Sequence, residues 1–284
     1  MKLGIGAVTY KRKDKLARCL DSLAQNTVTP HVIAVADDGS NDGTEELASD
    51  RGLTFITGKN RGVAWNKNRA LYYLHVVERC DVVIILEDDA FVTEKGWEVP
   101  WIENSIRHGH INLIYENVYS TIVKGDGSVE DPYQSWVLGG VCSAFSAEAI
   151  NAVGYFDTRF RKYGYEHVEH TNRFIKAGYG GVQATAERGL HYYGLKSPVK
   201  FDLDESHQTA EALEHNRIVF DAIEHENLYR PAWQSKKQKR ILRREIEAAR
   251  HRGTWMATFP PWLYAATSIV AAPYRERNAP RSGC

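Results

Sequence analysis

Val82-Val83-Ile84-Ile85-Leu86-Glu87-Asp88-Asp89 decides how this chain folds. Five apolar residues in a row, four of them β-branched, make a strand buried on both faces, and such strands belong to sheets covered by helices on either side. Three carboxylates follow without a spacer, so the strand ends in a polar cluster. The same alternation recurs toward the N-terminus. Leu3 to Thr9 is an apolar strand, and Lys15 to Leu23 carries Leu16, Leu20 and Leu23 at helical spacing. Val32 to Ala36 runs into the turn-rich Asp37-Asp38-Gly39-Ser40-Asn41-Asp42-Gly43. Thr44 opens a helix with Glu45 and Glu46 in its first turn, where they suit the helix dipole. Leu53 to Thr57 is a strand and Val63 to Val77 a helix. The alternation predicts an α/β fold, a Rossmann-like, mostly parallel central sheet with helices on both faces. Ligands of such sheets bind at the carboxyl ends of the strands. Three strand ends carry polar groups: Thr9-Tyr10, Asp37-Asp38 and Glu87-Asp88-Asp89.

The second half is more mixed. Ile111 to Tyr115, Ser120 to Val123 and Trp136 to Phe145 read as strands, and Ala147 to Val153 as a helix. Tyr165 to Ala177 reads as a helix with Glu166, Glu169 and Arg173 on its polar face. The 36 Lys/Arg balance 36 Asp/Glu, which excludes a wholesale basic nucleic-acid binder and an acidic disordered chain. The balance is uneven: residues 232–284 hold eleven Lys/Arg against three Asp/Glu, so they carry +8 and the first 231 residues −8. Cys19, Cys80, Cys142 and Cys284 form no C-x-x-C pair, which favours a reducing compartment over a disulfide framework. With no signal-peptide core at the N-terminus, the expectation is a cytoplasmic protein.

Adjacent carboxylates repel one another unless a cation or a donor network balances them, so Glu87-Asp88-Asp89 is either a divalent-metal site or a solvated turn. Gly4-Ile5-Gly6 is not a dinucleotide fingerprint, because its glycines lie inside a strand. No G-x-x-x-x-G-K-[ST] string is present. Glu166-His167-Val168-Glu169-His170 is one residue short of either zinc-protease spacing, although His167 and His170 share a helix face.

Six stretches, in order, resemble a glycosyltransferase of the GT-A fold, close to family 2. Ile5 to Arg12 resembles the opening strand, and Ala36 to Thr44 the D-D-G-S-x-D-G-T loop. Asn60 to Ala64 with Asn68-Arg69-Ala70 resembles N-x-G-x-x-x-A-x-N, and Leu86 to Ala90 the D-x-D region. Gly154 to Phe160 resembles G-G-F-D-E-R-F, and Gly164 to Gly178 the segment that carries the acidic pair and a later arginine. The resemblance spans roughly residues 3–195. It implies a nucleotide-sugar donor, usually a UDP-sugar, with Mn²⁺ or Mg²⁺. Thr9, Tyr10 and Arg12 would surround the base, and Asp38 would accept from the uracil imide N–H beside a structural Asp37. Asp88 would face the ribose or metal waters, and Asp89 would ligate the metal. His191, in Leu190-His191-Tyr192-Tyr193, resembles a later histidine ligand and is as readily one of eleven ordinary histidines. Arg61 and Lys67 are candidates to assist the diphosphate, Lys67 reading more readily as surface charge. Gly139-Gly140 would admit the donor sugar closely, and Trp136 would either stack on an acceptor ring or join the core.

The departure lies at the base. The family's acidic pair reads Glu166-His167 here. His167, Glu166 or Glu169 could deprotonate the acceptor, or a retaining enzyme would need no such base. For Glu169 the plain alternative is an i, i+4 ion pair with Arg173.

The division expected is a catalytic domain over residues 1–231 and a basic helical appendage over residues 232–284. Gln234 to Arg252 reads as a helix with a partial apolar stripe of Ile241, Leu242, Ile246 and Ala249. Thr254 to Tyr274 is uncharged, but Pro260-Pro261 leaves too short a run to cross a membrane. Packing or a homo-oligomer contact is favoured, with peripheral attachment at the inner face of a membrane or contact with an anionic polymer as alternatives. The function expected is metal-dependent glycosyl transfer to a hydroxyl acceptor. The alternatives are a nucleotidyltransferase and a catalytically inactive nucleotide-sugar-binding protein.

Overall fold

A computed structural model describes residues 1–183, 189–202 and 209–257. The chain runs β1 (Leu3–Thr9), α1 (Lys13–Asn26), β2 (His31–Asp37), α2 (Thr44–Asp50), β3 (Thr54–Thr57), α3 (Val63–Tyr72) and β4 (Val82–Glu87). There follow β5 (Ala90–Val92), α4 (Val99–His108), β6 (His110–Leu113), β7 (Ile122–Lys124), β8 (Tyr133–Ser135), β9 (Gly139–Ser146) and α5 (Ala147–Val153). It ends with α6 (Glu166–Lys176), β10 (Gly181–Gln183), β11 (Leu190–Leu195), β12 (Val199–Phe201), α7 (Ala210–Ile223) and α8 (Lys236–Ala257).

Among the described residues the main sheet has the order β3-β2-β1-β4-β9-β6-β11-β8-β7, with β10 on β11, and β12 pairs separately with β5. The strands from β3 to β4 are parallel, as the apolar runs predict, and β9 inserts antiparallel between β4 and β6. One face is covered by α3, α5, α6 and α8, whose Trp65, Ile150, Phe174 and Leu242 share a core cluster. On the other face Leu23 of α1 and Trp101 of α4 pack in one cluster, and Leu16 and Leu20 of α1 in another. The glycines of β1 serve this packing. A Cβ at Gly6 would lie 2.6 Å from Ile85 Cδ1 and 2.9 Å from Ala70 Cβ, so the glycine lets α3 sit close on the sheet.

Boundaries depart from the sequence reading at a few points. The helix expected over residues 63–77 is α-helical only to Tyr72 and continues as a π-helical stretch, Tyr73–Val77. A 3₁₀ segment, Glu116–Thr121, replaces the start of the strand expected at Ser120. The expected Trp136 strand begins at Gly139, because Ser135 turns the chain by accepting from the Val137 N–H.

The larger correction concerns the basic C-terminal segment. Leu242, Ile246 and Ala249 of α8 are buried in the same cluster as Trp65 and Ile150. Arg230 forms a backbone bridge with Gly154, and Ala232 is fully buried. A boundary drawn at residue 231 from charge therefore cuts through one continuous core. The outward face of α8 is basic and exposed, with Lys236, Lys237, Arg240, Arg243 and Arg244. Most of the uncharged run from Thr254 lies outside the described residues, and among those described no helix is long and apolar enough to cross a membrane.

If α8 is integral, Ile246→Ala removes core contacts and costs about 2–5 kcal/mol. Denaturant unfolding followed by far-ultraviolet circular dichroism and by tryptophan fluorescence should show one earlier, coincident transition. Two separated transitions with the main one unmoved would mean that α8 is an independent unit.

Candidate active site

The carboxyl ends of β1, β2 and β4 lie side by side, because Thr9 pairs with Asp37 and Val8 with Glu87 in the parallel register. This register brings together most of the sequence-predicted residues. Asp38 N donates to Thr9 O at 3.1 Å, and Asn66 of α3 donates to Thr9 O and Ala36 O. The strand ends are thereby fastened to one another by buried hydrogen bonds.

The first group is the carboxylate cluster. Thr9 Oγ1 donates to Asp88 Oδ2 at 2.7 Å, and Arg12 Nη1 reaches Asp88 Oδ1 and Asp89 Oδ2, each at 3.3 Å. Burial raises the Asp88 carboxyl to about 6, in spite of the Thr9 hydrogen bond and the Arg12 charge. Burial, then the charges of Glu87 and Asp88, raise Asp89 to about 7. Asp89 Oδ1 is buried with no hydrogen-bond partner. A buried acceptor left unpaired costs about 1–3 kcal/mol, more when charged, so this atom fits a cation. Among the described residues no group of three or more His, Cys, Asp or Glu is arranged around one point. That is compatible with Mg²⁺ or Mn²⁺, since Mg²⁺ sites often hold one or two carboxylates and take their remaining ligands from substrate phosphate and water.

The second group is the Asp37-Asp38 turn. Asp37 is structural: it accepts from Gly39 N, Ser40 N and Thr57 Oγ1. Asp38 accepts from Arg61 N at 2.9 Å, Gly62 N at 2.8 Å and Arg69 Nη1 at 2.8 Å. Burial raises its carboxyl, opposed by these donors. Arg61 thus contributes its backbone, while its exposed guanidinium lies over the Trp65 ring. Tyr10 is exposed at the mouth, on a loop held by Lys11 N donating to Ser40 Oγ.

The third group surrounds α6. Lys67 is fully buried, not a surface charge as expected, with Nζ 2.7 Å from Glu87 Oε1 and donating to Gly140 O at 3.1 Å. Burial lowers the Lys67 ammonium, but Glu87 and Glu166 outweigh it and hold the group above its ordinary value. Glu166 is buried; Gly164 N donates to its Oε2 at 2.7 Å, and burial raises it against the Lys67 charge. His167 packs on Gly140, where a Cβ would lie 3.5 Å from its Cγ. Its Nε2 is 3.0 Å from Asn112 Oδ1, and Asn112 Nδ2 is oriented toward Tyr193 O, which makes Nε2 the donor and Nδ1 the bare nitrogen. Burial, then Lys67, holds His167 well below its ordinary value. Gly139 is required by Tyr115, whose ring a Cβ would meet at 2.8 Å. Trp136 is exposed in the turn before β9, so it is not a core residue.

Two expected roles do not survive the geometry. Both Glu169 oxygens are taken by Arg173, at 2.8 and 3.1 Å, in a buried pair that also ties Val153 O, Tyr155 O and Leu228 O. Glu169 is therefore the ion-pair residue, buried instead of surface-exposed, and not a free base. His191 lies toward the wrong end of the sheet. Gly194 is level with Asn112, Asn112 with Ser143, and Ser143 with Ile85, so His191 stands near the start of β4. At about 3.3 Å per residue that is roughly 20 Å from Asp89, out of reach of a shared metal.

Sequence reasoning does not single out Asn66, Arg69 or Tyr163 as site residues, and it reads Lys67 more readily as surface charge. Tyr163, on the loop before α6, keeps an exposed ring while desolvation of its hydroxyl, then the charges of Glu87, Glu166 and Asp89, raise that group above its ordinary value. The available signal was the polar run Asn66-Lys67-Asn68-Arg69 in a helix that the alternation requires to pack on the sheet.

The fold is of the GT-A type, and the carboxylate-rich strand ends are where such a sheet binds its ligand. The sequence model for glycosyl transferase family 2 matches residues 5–153, more than half of the chain, and the chain belongs to that family. It is therefore a glycosyltransferase. No curated protein matches it. A mannosyltransferase, PcManGT from Pyrobaculum calidifontis, solved with GDP-Man and Mn²⁺, is similar in fold at 15% identity and a TM-score of 0.55, covering 94% of this chain and 78% of its own. GalNAc-T7, solved with UDP, GalNAc and Mn²⁺, is similar at 14% identity and a TM-score of 0.51, covering 70% of this chain and 43% of its own.

The raised carboxyls carry a sign that can be measured. Both folded-state values lie above the ordinary carboxylate value of about 4, so their contribution to stability is full below that pH and is lost as pH rises through about 6 and 7. In EDTA, Asp89→Asn should melt several degrees above wild type near pH 8 and close to it near pH 5. Calorimetry in which the difference is the same at both pH values would remove the charge explanation.

Proposed function

We propose that this glycosyltransferase moves a sugar from a nucleoside-diphosphate donor, with Mn²⁺ or Mg²⁺, to a hydroxyl acceptor. The observation that carries the reading is the carboxylate cluster at the end of β4, with a buried and unpaired Asp89 oxygen, set beside the anchored carboxylate of Asp38. Beyond its bonds to Arg61 N, Gly62 N and Arg69, Asp38 would offer a remaining lone pair to a nucleobase ring N–H, and both uracil and guanine have one. Asp89, with Asp88 beside it, would hold the cation. When bound, the cation neutralises charge on the diphosphate leaving group as a Lewis acid. Lys67, fixed on Glu87 and Gly140 O, adds a positive charge on the floor of the site. Tyr10 and Trp136, both exposed, would cover the base and an acceptor ring.

Among the three candidate bases, Glu169 is engaged by Arg173, and the bare Nδ1 of His167, whose ring is held through Asn112, has its proton affinity held down by burial and then by Lys67. Glu166 remains: its carboxyl is raised toward the range where proton exchange with a hydroxyl is effective, and it neighbours Lys67 and Glu87. In the transfer, the acceptor oxygen bonds to the anomeric carbon, the bond from that carbon to the diphosphate oxygen breaks, and Glu166 takes the hydroxyl proton.

The test is release of nucleoside diphosphate from a panel of UDP- and GDP-sugars with Mn²⁺, with acceptors supplied. Asp89→Ala should abolish metal-dependent turnover. Glu166→Gln should lower kcat by about 10²–10⁴ with donor affinity retained. His167→Gln should lose far less. A profound loss in His167→Gln with an active Glu166→Gln would move the base to His167, and no turnover with any donor would refute the transfer reading.

A further inference from the structure

Glu245 stands 176 positions after Arg69 in sequence, yet α8 sets its carboxylate against the Arg69 side chain. Arg69 is fully buried and has an acceptor for every edge of its guanidinium. Toward α8, Nε donates to Glu245 Oε2 at 3.0 Å and Nη2 to Glu245 Oε1 at 3.2 Å, while Nη2 also donates to Lys59 O at 3.0 Å. Toward the site, Nη1 donates to Asp38 Oδ1 at 2.8 Å, Asp37 O at 3.0 Å and Asn66 Oδ1 at 3.1 Å. Trp65 Nε1 donates to Glu245 Oε2 at 3.1 Å and holds the carboxylate in place.

We propose that Glu245 is a positioning residue for Asp38, and through it sets how strictly the site prefers nucleobases bearing a ring N–H. The inference rests on the reading of Asp38 as the base-facing carboxylate. A bidentate carboxylate fixes the plane of a guanidinium, and that plane is rigid, so the edge facing Glu245 aims the edge facing Asp38. Glu245 also supplies the second negative charge beside Arg69. Without it the buried cation has Asp38 as its nearest carboxylate, and breaking a buried pair by removing one partner leaves a costly uncompensated charge. Asp38 is then drawn toward Arg69, and its oxygens become poorer and misaimed acceptors for a base. Uracil and guanine, which present a ring N–H, lose a hydrogen bond; cytosine and adenine, which present no ring N–H and only an exocyclic amine, lose less there.

The experiment is calorimetric binding of UDP, GDP, CDP and ADP in the presence of Mn²⁺ to the full chain and to Glu245→Gln, with a melting curve for each protein. Wild type is expected to favour UDP or GDP. Glu245→Gln should weaken the favoured nucleotide about tenfold, the loss of roughly one hydrogen bond, while CDP and ADP change less than about twofold. Glu245→Asp keeps the charge with a shorter reach and should show a smaller loss of the same selectivity; it carries the test if the glutamine variant does not fold. Equal weakening of all four nucleotides, or no change in any, overturns the inference and leaves the proposed function standing. A wild type that prefers CDP or ADP overturns the role of Asp38. A wild type that binds no nucleoside diphosphate refutes the proposed function, and this inference falls with it.

Discussion

A guanidinium with no exposed surface organises the donor half of this molecule. Arg69 lies between Asp38 on the β2 turn and Glu245 on α8, and its remaining N–H groups reach the backbone of residues 37 and 59. A buried charge of this kind is tolerated only when its counter-charges and hydrogen bonds are complete. Every element that touches Arg69 is therefore held in a relation to the others. The loop after β3, the turn after β2, the middle of α3 and the C-terminal helix meet at one side chain. This joins the basic helix at the end of the chain to the site at its beginning, and it explains why the core is continuous across residue 231.

The carboxylates after β4 pose the opposite problem. Glu87 has a buried ammonium, Lys67, at 2.7 Å, whereas Asp88 and Asp89 share one partly exposed guanidinium, Arg12, at 3.3 Å. Burial, which Arg12 and, at Asp89, Lys15 only partly offset, raises the proton affinity of both aspartates. The neighbouring turn spends its donors differently: Asp37 is saturated by its own loop, and Asp38 is fixed by two backbone N–H groups and Arg69. One sheet edge therefore carries a carboxylate that is locked for geometry beside a pair left with charge to spare. A nucleoside diphosphate with a cation presents the complementary features, a base with a ring donor and a charge that neutralises the pair.

The parallel half of the sheet was readable because its strands are short, apolar and separated by helices of plain periodicity; β1 spans the residues 3–9 expected of it. The polar strand ends followed from the same pattern. What the pattern could not supply was register across β9, β6 and β11, which are not neighbours in sequence order. The His191 expectation failed for that reason, since its motif is compatible with a ligand until the strand register puts it near the start of β4. Glu169 failed for a related one: spacing offered both a base and an ion pair, and only the burial of Arg173 decides between them. Lys67 looked like solvent-facing charge because a helix packed on one side leaves its other side wet. α3 is covered on more than one side, by the sheet, by α6 and by α8, and Lys67 faces the sheet and the α6 side.

The role of α8 was nonetheless written in the chain, in a residue that breaks its pattern. Residues 232–284 hold eleven basic residues and three acidic ones, and Glu245 is one of the three. Leu242, Ile246 and Ala249 make the inward stripe of the helix, and Glu245, three residues after Leu242 and four before Ala249, stands on that stripe. A carboxylate on the apolar stripe of a basic helix has no reason to be there as surface charge, because that face is withdrawn from water. It requires a buried cation opposite. Arg69 sits in the polar run Asn66-Lys67-Asn68-Arg69 of α3, a segment that breaks its own pattern in the complementary sense. Two violations of apolar patterning with opposite charge, on helices that cover the same face of one sheet, are mutually explanatory. The charge asymmetry between the two parts of the chain then reflects a split in its outward faces, while the contact that joins them inside is a matched pair.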